Sequence, residues 1–345
     1  MNFEKVAIVG ASGYSGEELV RLLGRHPQAQ IVALTSRQHA GQLVETVFPK
    51  FAGQSYAKLA FIGSEISGII QSGARVVFLA LPHGVAAEFA KPLVEAGLKV
   101  IDLSADFRIK NPAIYEEFYG APPHAPELSQ QSVYGLPEIY RQEIQSAQLI
   151  ASPGCYPTSI ILPLHPLLKN YLIRPEGIVI NSLSGVSGAG RNAQTELLYV
   201  ECNESVRAYS SPKHRHLAEI EQELTLAFGA PVVINFTPHL IPVSRGIFTT
   251  IHATPAPGVD PETIFSCLTD TYEKEPFVRL LGPKGMPDTK NVTQTNFLDL
   301  AWRFDPRTGK IILFSAEDNL LKGASGQAVQ SLNILCGWPE TTGLL

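Results

Sequence analysis

Residues 5–16 have the sequence KVAIVGASGYSG, and this stretch decides the fold of the first half of the chain. The apolar residues 5–9 predict a β-strand, and Gly10, Gly13 and Gly16 follow it directly at the start of a predicted helix. A glycine-rich turn between a strand and a helix is typical of a dinucleotide-binding site, because the free N–H groups of the helix N-terminus attract a pyrophosphate. The spacing is GxxGxxG rather than GxGxxG, so an ordinary turn is the alternative interpretation.

Each residue of this turn has an expected contribution. Gly10 permits the tight turn, Gly13 lets the backbone approach the pyrophosphate, and Gly16 lets the helix pack close to the strand. Three of the four residues between the glycines are expected to line the same cofactor site, and they are Ser12, Tyr14 and Ser15.

The end of the second predicted strand, residues 31–34, indicates which dinucleotide is bound. A domain selective for NAD usually ends this strand with an acidic residue that holds the ribose 2′-hydroxyl. Here Ser36 and Arg37 follow instead, and both suit a phosphate. The sequence therefore predicts NADP, with Ser36 and Arg37 on its 2′-phosphate, against the alternative that Arg37 is an ordinary exposed arginine.

The elements along the chain predict two kinds of domain. In the first half short apolar runs alternate with helical stretches, which predicts an α/β, Rossmann-type dinucleotide-binding domain with a parallel sheet. In the second half strands predominate, which predicts an α+β domain with a mostly antiparallel or mixed sheet. The predicted strands are 5–9, 31–34, 75–81, 100–103, 148–151, 178–183, 232–236, 247–253, 296–304 and 310–315. The predicted helices are 17–24, 85–96, 217–228, 261–272 and 319–336, with a loop over 112–126. The expected boundaries are 1–154 for the cofactor domain, 155–317 for a catalytic and subunit-contact domain, and 318–345 for a C-terminal helix that returns to the first domain.

Composition excludes several classes of protein. The chain has 345 residues, 45% hydrophobic and 17% charged, with a formal net charge of -5. This composition is typical of a globular protein, and the charge gives no general reason to bind nucleic acid or a membrane.

The four cysteines are far apart without a CxxC pair, which argues against a zinc site or a disulfide scaffold and favours a reducing compartment. Glu4 and Lys5 stand where a signal peptide needs apolar residues, and the longest apolar run, 160–168, is broken by prolines. We expect a cytoplasmic protein without a metal. The cysteines are Cys155, Cys202, Cys267 and Cys336.

Cys155 is the candidate nucleophile. It follows a predicted strand and Gly154, and it precedes a helix predicted to begin near Pro157. A thiolate at a helix N-terminus is stabilised by the helix dipole and by backbone N–H groups, which can also serve as an oxyanion hole. The alternative is a small buried hydrophobic residue, which is the interpretation we favour for the other three cysteines.

A thiol nucleophile needs a partner for proton transfer, and the densest basic cluster of the chain supplies candidates. Lys213, His214, Arg215 and His216 are consecutive, and Glu219 follows. If a helix begins between them, His214 and Glu219 meet, and the carboxylate then fixes the imidazole tautomer. The alternative is a solvated basic face.

Two further loops follow predicted strands and carry groups suited to ligands. Residues 102–108 include Ser104 and Arg108, which suit an anionic substrate. Residues 184–191 form a flexible small-residue loop whose backbone, around Ser187 and Gly188, can line a nicotinamide or a phosphate. The alternative for the second loop is a plain turn.

These motifs together resemble those of the N-acetyl-gamma-glutamyl-phosphate reductases, long form, within the semialdehyde dehydrogenase superfamily. The resemblance extends over essentially the whole chain, and the cysteine and histidine motifs are its most specific parts. The motifs are GxxGYxG at 10–16, DLSADFR at 102–108, SPGCYPT at 152–158, SGxSGAGR at 184–191, HRHxxEI at 214–220 and DNLLKGASGQAVQ at 318–330.

The resemblance implies an enzyme of arginine biosynthesis, an NADP-dependent acyl-phosphate reductase. Cys155 would attack N-acetylglutamyl phosphate and expel phosphate, and the thioester would accept a hydride and leave as N-acetylglutamate 5-semialdehyde. One histidine of the HRH motif would act as acid and base, and by position we prefer His214, oriented by Glu219, with His216 as the alternative. Asn319 would lie near the nicotinamide.

The resemblance and the clustering of basic residues also imply partners. Ser104, Arg108 and Lys213 are expected to bind the phosphorylated substrate, and the second domain is expected to form a homo-oligomer, either a dimer or a tetramer. The nearest alternative activity is that of an aspartate-semialdehyde dehydrogenase, which shares the thioester route. A cofactor-independent cysteine hydrolase is a further alternative, against which the glycine turn and Arg37 argue. A non-catalytic NADP-binding sensor is another, and it would not need both Cys155 and the basic cluster.

Overall fold

In the computed structural model, which describes residues 3–345, the chain divides into two units that are described separately. The first unit comprises the chain up to Glu116, together with Ala121–Pro153 and Ala324–Leu345. The second comprises Glu117–Gly120 and Gly154–Gly323. Each unit contains one β-sheet.

The sheet of the first unit has six strands in the order β2-β1-β3-β4-β6-β5, and all of its strand pairs are parallel. Its third strand in the chain, Val76–Leu79, is buried at every residue, as expected for a continuous apolar run in a sheet covered on both faces. The carboxyl ends of β1 and β3 therefore meet at one edge, where ligands bind in sheets of this kind. The strands are β1 (Glu4–Val9), β2 (Ala29–Leu34), β3 (Val76–Leu79), β4 (Lys99–Asp102), β5 (Val133–Tyr134) and β6 (Leu149–Ala151).

Helices connect these strands. The first runs directly from the glycine turn, and the last packs against two earlier helices of the same unit, α1 and α7. The helices are α1 (Tyr14–Gly24), α2 (Val44–Val47), α3 (Ile66–Gln71), α4 (Ala86–Glu95), α5 (Pro112–Tyr119), α6 (Pro126–Gln131), α7 (Pro137–Ser146) and, at the C-terminus, α13 (Gly326–Leu335), with a short 3-10 turn at Pro49–Phe51.

The sheet of the second unit has seven strands in the order β11-β12-β13-β10-β7-β9-β8 and is mixed. The pairs β7–β9 and β11–β12 are parallel, and the other four are antiparallel. The strands are β7 (Val179–Ser184), β8 (Arg207–Ala208), β9 (Asn235–Leu240), β10 (Ile247–Ala253), β11 (Val278–Gly282), β12 (Leu298–Asp305) and β13 (Lys310–Glu317). The fold class predicted from the sequence, a Rossmann-type domain with a second α+β domain, is confirmed.

One helix of the second unit, α8, packs on β10 and β13 and against α10 and α11. Buried hydroxyls fix it there, because Ser159 Oγ lies 2.8 Å from Thr249 Oγ1, and Ser315 Oγ donates to the Ser159 carbonyl at 2.6 Å. The helices of this unit are α8 (Cys155–Lys169), α9 (Tyr199–Cys202), α10 (His216–Phe228), α11 (Pro261–Tyr272) and α12 (Thr289–Val292), with 3-10 turns at Val186–Ala189 and Thr195–Leu197 and a π turn at Leu321–Ser325.

The loop predicted over 112–126 is wrong, because α5 and the start of α6 occupy it. Pro112 is the first residue of α5, and Asn111 caps this helix by accepting the Ala113 N–H at 3.0 Å. Proline has no N–H to lose at the first position of a helix, so a proline-rich composition marked helix starts rather than a loop.

Most of the predicted elements differ from the observed ones by one to three residues at an end, and two others differ more. The strand predicted over 232–236 begins only at Asn235, because the N–H groups of Val232 and Ile234 donate to side chains of α10 instead of to a neighbouring strand. The terminal helix predicted over 319–336 is divided into a π turn and α13, which begins at Gly326.

Candidate active site

The turn after β1 gives its three glycines different environments. Gly10 has a φ of +80°, and a Cβ on it would lie 2.4 Å from the Ala80 carbonyl oxygen. A Cβ on Gly16 would lie 2.4 Å from the Gly10 oxygen, whereas a Cβ on Gly13 would meet only that same atom, at 3.7 Å. Packing therefore requires two of the glycines. Gly13, the N-cap of α1, leaves room where the helix N-terminus can receive a phosphate, so the turn fits a dinucleotide.

The residues predicted to hold the ribose phosphate lie beside this turn. Ser12 Oγ lies 3.0 Å from Ser36 Oγ, so the first βα turn is joined to the end of β2. Ser36 is buried, whereas the next residue, Arg37, is exposed. Of the two other predicted residues of the turn, Tyr14 opens α1 with an exposed side chain, and the Ser15 carbonyl accepts the Ser325 hydroxyl at 2.9 Å.

In the loop after β4, Ser104 and Arg108 have internal partners. Ser104 Oγ donates to Asp102 Oδ2 at 2.7 Å. The Arg108 guanidinium is buried, and it donates to the carbonyls of Ser152 at 2.7 Å and Leu103 at 2.8 Å. Burial and the nearby Asp106 raise the pKa of Asp102 to about 7. These contacts give the two residues a structural role in the loop, and their role toward a substrate stays a prediction.

Cys155 is the first residue of α8, two positions earlier than the predicted helix start. Gly154, its N-cap, has extended backbone angles and no side chain to cap the helix. The half-buried thiol therefore lies at the N-terminus of a 15-residue helix, where backbone N–H groups and the helix dipole favour a negative charge.

Two histidines and two tyrosines form a cluster next to this cysteine. The rings of His214 and His216 are 4.9 Å apart, and Tyr156 packs edge-on against both, at 5.4 and 5.9 Å. The hydroxyls of Tyr156 and Tyr209 lie 2.8 Å apart. Burial raises the pKa of Tyr156 and raises that of Tyr209 to about 12, so both phenols are neutral at physiological pH.

The protonation state of His214 follows from its surroundings. Burial, with a smaller effect of the adjacent Arg215 charge, lowers the pKa of His214 to about 4, so the ring is neutral near pH 7. Its Nδ1 accepts the backbone N–H of His216 at 3.1 Å. A ring nitrogen that accepts carries no proton, so the single proton of His214 is on Nε2.

The cysteine and both histidines line one cavity of 360 Å³. Sequence reasoning named Cys155, Gly188, His214 and His216 among its lining residues, and it missed Tyr209 and the wall formed by residues 194–210. Tyr156 lies inside the motif at 152–158 and could have been found there, but the motifs carry no signal for the wall. The lining residues are Cys155, Tyr156, Ser184, Gly185, Gly188, Ala189, Gln194, Glu196, Leu197, Arg207, Tyr209, Ser210, His214, Arg215, His216 and Leu240.

Glu219, Asn319 and Lys213 are not among the residues that line this cavity. Glu219 is fully buried, and its Oε1 accepts the Gly154 N–H at 2.8 Å. Asn319 donates to Ser187 Oγ at 2.9 Å and accepts the Gly246 N–H at 2.8 Å, so it fixes the loop after β7. Lys213 is not among the lining residues, and its exposed ammonium pairs with Glu117 at 3.0 Å.

Within residues 3–345, no group of three or more His, Cys, Asp or Glu side chains is arranged to hold a metal ion. No helix among the same residues is long and apolar enough to cross a membrane.

Comparisons with known proteins agree with this architecture. The family described as semialdehyde dehydrogenase, NAD binding domain, matches residues 5–147, and the semialdehyde dehydrogenase dimerisation domain matches residues 155–319. The N-acetyl-gamma-glutamyl-phosphate reductase of Akkermansia muciniphila is 56% identical over 340 residues, which are 99% of this chain and 98% of that protein. The reductase of the same name from Moorella thermoacetica is 49% identical over 99% of this chain and 97% of its own length.

Solved structures show the same fold at low identity. Aspartate semialdehyde dehydrogenase II of Vibrio cholerae has a TM-score of 0.73 at 19% identity, covering 98% of this chain and 99% of that one. The aspartate semialdehyde dehydrogenase of Candida albicans, solved with NADP, has a TM-score of 0.68 at 16% identity, covering 97% of this chain and 99% of its own. These likenesses concern the fold alone.

The two domain matches, with the glycine turn and the helix-terminal cysteine, define a nicotinamide-dependent oxidoreductase of the semialdehyde dehydrogenase class. Within that class, full-length identities of 46–56% show that the chain belongs to the N-acetyl-gamma-glutamyl-phosphate reductase family. The resemblance inferred from the motifs is confirmed.

Proposed function

We propose that this chain reduces N-acetyl-L-glutamyl 5-phosphate to N-acetyl-L-glutamate 5-semialdehyde, with NADPH as reductant and release of phosphate. The names of its full-length relatives support the substrate. The observation that carries the chemistry is that Cys155, at the N-terminus of α8, shares one cavity with His214 and His216.

In the proposed reaction, the Cys155 thiolate attacks the acyl carbon of the substrate. The C–O bond to the phosphate breaks, phosphate leaves with the bonding electrons, and a thioester forms. NADPH, when bound, supplies a hydride to the thioester carbon. The carbon–sulfur bond then breaks, which releases the aldehyde and regenerates the thiolate. The N–H groups at the start of α8 lie where they can stabilise the negative charge on the carbonyl oxygen in both steps.

The two histidines have different proposed roles. His214 presents Nε2–H as a donor because its Nδ1 is occupied by the His216 N–H. A neutral ring with that tautomer donates a hydrogen bond to a substrate oxygen rather than accepting a proton. We therefore assign proton transfer to and from the thiol to His216, the alternative of the sequence analysis, and hydrogen-bond donation to His214. Glu219 acts as a positioning residue through its bond to Gly154.

For the cofactor, the proposal is NADP. Gly10, Gly13 and Gly16 with Ser12, Tyr14 and Ser15 would hold the pyrophosphate end, and Ser36 and Arg37 the 2′-phosphate. The exposure of Arg37 directly after β2, with no acidic residue at the end of that strand, supports this choice. Ser187, Gly188 and Asn319 would line the nicotinamide end.

For the substrate, the cavity lining has two arginines and one glutamate, Glu196, and this excess of positive charge suits an acidic substrate. Arg207 and Arg215 line its wall, and guanidinium groups pair well with a carboxylate or a phosphate. Ser104, Arg108 and Lys213 are further candidates for the phosphate. We propose a homo-oligomer, a dimer or tetramer formed through the second unit, and a cytoplasmic reaction, since a reducing compartment keeps the thiol active.

The test runs the reaction in reverse. The chain is mixed with N-acetylglutamate 5-semialdehyde, phosphate and NADP, and the absorbance of NADPH is followed. We expect a phosphate-dependent signal that is lost in Cys155→Ser and kept in the matched control Cys267→Ser. The absence of a signal with this substrate, combined with one from aspartate semialdehyde, would move the assignment to the aspartate enzymes. A signal that survives in Cys155→Ser would remove the thioester route.

A further inference from the structure

Gly323 lies in the π turn Leu321–Ser325, and its backbone angles do not explain why a glycine is there. Its φ lies outside the left-handed range, where glycine has its conformational advantage. Any residue can adopt this backbone, so the reason for glycine has to be what surrounds it.

The surroundings of Gly323 are the candidate nucleophile itself. A Cβ on Gly323 would lie 2.8 Å from Cys155 Cβ and 3.2 Å from Cys155 Cα. The same Cβ would lie 2.9 Å from Oε1 of Glu317, a fully buried carboxylate. Two of these three distances, to Cys155 Cβ and to Glu317 Oε1, are too short for a Cβ atom. The Cys155 atoms belong to the first residue of a helix rather than to the end of a flexible side chain. The bare backbone of Gly323 is therefore packed directly against Cys155.

Several hydrogen bonds fix the turn that carries Gly323. The Gly323 N–H donates to the Asp318 carbonyl at 3.0 Å. Oδ1 of Asp318 accepts the N–H groups of Leu320 at 2.8 Å and Leu321 at 3.2 Å, and Oδ2 accepts the Gln294 N–H at 2.7 Å. Asp318 is fully buried, so these bonds do not compete with water.

Lys322, the residue before Gly323, is a second anchor of this turn. Lys322 is fully buried, and its ammonium lies 5.9 Å from the centre of the Phe277 ring. A turn held at Asp318 and at Lys322 has little freedom to move away from a methyl group added at Gly323. The added methyl group would therefore displace the atoms of Cys155, the first residue of α8.

From these contacts we propose that Gly323 is a positioning residue for the nucleophile: the absence of a side chain at 323 sets where Cys155 lies relative to the N–H groups of α8 and to the histidines. The inference rests on the proposed function, in which Cys155 forms the thioester. A methyl group at 323 shifts the thiol, and a shift of about 1 Å at a reacting atom costs on the order of 100-fold in rate.

The test compares Gly323→Ala with wild type in three measurements. The first is kcat and KM for the semialdehyde, phosphate and NADP reaction. The second is the rate of alkylation of Cys155 by iodoacetamide between pH 5 and 9, with the labelled peptide identified by mass spectrometry so that the other cysteines do not contribute. The third is thermal unfolding. We expect kcat to fall on the order of 100-fold with KM for NADP within about threefold, and the alkylation profile to move to higher pH because the thiolate loses part of its helix N–H stabilisation.

The matched control is Gly135→Ala, in the first unit. A Cβ there is crowded to a similar degree, 2.7 Å from Ile150 Cγ2 and 3.2 Å from Ser152 Cα, but it does not meet Cys155. We expect Gly135→Ala to lower thermal stability without moving the alkylation profile. If Gly323→Ala does the same, its role is only structural and the proposal is overturned.

A second variant keeps the test decisive if Gly323→Ala does not fold. Asp318→Asn adds no atoms near Cys155 but weakens the bonds that fix the turn, and we expect a smaller shift of the alkylation profile in the same direction. An unchanged profile in Asp318→Asn would overturn the proposal. Failure of the proposed function is recognised separately, because wild type would then show no phosphate-dependent turnover while Cys155 alkylation remained measurable.

Discussion

Glu219 Oε1 accepts the backbone N–H of Gly154 at 2.8 Å, so a fully buried carboxylate of α10 holds the residue that immediately precedes Cys155. The spacing of His214 and Glu219 predicts that this carboxylate orients the histidine, and the contact at Oε1 is with the backbone that precedes the nucleophile. The bond joins the start of α8 to the first turn of α10, which carries His216. The thiol and the proposed base are thereby connected through one side chain.

The Glu219 contact predicts the behaviour of two variants. Glu219→Ala leaves the Gly154 N–H without its partner, and we expect a loss of about 1–3 kcal/mol in the free energy of unfolding, with a lower kcat. Glu219→Gln keeps an amide oxygen as acceptor, and we expect smaller losses in the free energy of unfolding and in kcat. Urea denaturation and steady-state kinetics measure the two effects. Equal losses in both variants would mean that the charge of Glu219, rather than its hydrogen bond, matters.

The division of roles between the histidines predicts different pH profiles. We expect His216→Asn to lower kcat about 10²–10⁴-fold and to change the shape of the pH profile, because the proposed base is removed. His214→Asn removes a donor, and we expect a fall of about 10²–10³-fold. Because the pKa of His214 is lowered to about 4, that ring does not titrate between pH 6 and 8, so the profile of His214→Asn should keep its wild-type shape in that range. The measurement is kcat between pH 5.5 and 9, and a profile reshaped only by His214→Asn would reverse the assignment.

The turn after β1 predicts contrasting effects for two glycines. Gly13→Ala meets only one atom, at 3.7 Å, so we expect at most about 1 kcal/mol of lost stability but clearly weaker NADPH binding. Gly16→Ala puts a methyl group 2.4 Å from the Gly10 oxygen, and we expect it to lose about 1–3 kcal/mol. Thermal unfolding and a fluorescence titration with NADPH separate the two. Unchanged NADPH affinity in Gly13→Ala would argue against a pyrophosphate at this turn.

Arg37 predicts the cofactor preference. We expect Arg37→Ala to lower kcat/KM for NADPH by at least about tenfold while leaving that for NADH within about twofold, because a charge-assisted bond to the 2′-phosphate is lost. Arg307→Ala is the matched control, since Arg307 is also an exposed arginine but pairs with Asp305 in the second unit. An unchanged ratio of the two activities in Arg37→Ala would contradict the NADP assignment.

The fold was largely predictable because its signals are local. The apolar periodicity of residues 247–253 and 261–272 matches β10 and α11, and the glycine turn placed a helix directly after β1. The errors came where the bounds of an element depend on hydrogen bonds to residues far away in the sequence. The N–H groups of Val232 and Ile234 donate to α10 side chains, and no pattern in residues 232–236 reveals that.

The motif residues of the candidate site were predictable from the sequence, but the residues that form the cavity wall were not. Cys155 and His214 stand in recognisable contexts, and both line the cavity. The wall that includes Arg207 and Tyr209 depends on the fold of residues 194–210, which have short elements and little periodicity. The proposed role of Gly323 could not be predicted from the sequence either, because it depends on the contact of Gly323 with Cys155, which is 168 positions away, and not on the local backbone.

A half-buried histidine in α8, His165, predicts how stability depends on pH. Burial, with a smaller effect of Lys169, lowers the pKa of His165 to about 4, against 6.5 for the unperturbed side chain. Below pH 6.5 the unfolded chain binds a proton at this residue that the folded chain does not bind, so the free energy of unfolding falls by up to about 1.4 kcal/mol per pH unit until pH 4. Between pH 7.5 and 5.0 we therefore expect His165 to contribute a loss of about 2 kcal/mol.

The test compares wild type with His165→Gln by urea denaturation at pH 7.5 and 5.0. Other titrating groups are common to both proteins and cancel in the difference, so the variant should lose about 2 kcal/mol less than wild type on acidification. His124→Gln is the control, because His124 is exposed in the first unit and its replacement should leave the wild-type loss unchanged. If wild type and His165→Gln lost equal stability on acidification, His165 would titrate alike in the folded and unfolded chains, and its burial would have no effect on the acid sensitivity of α8.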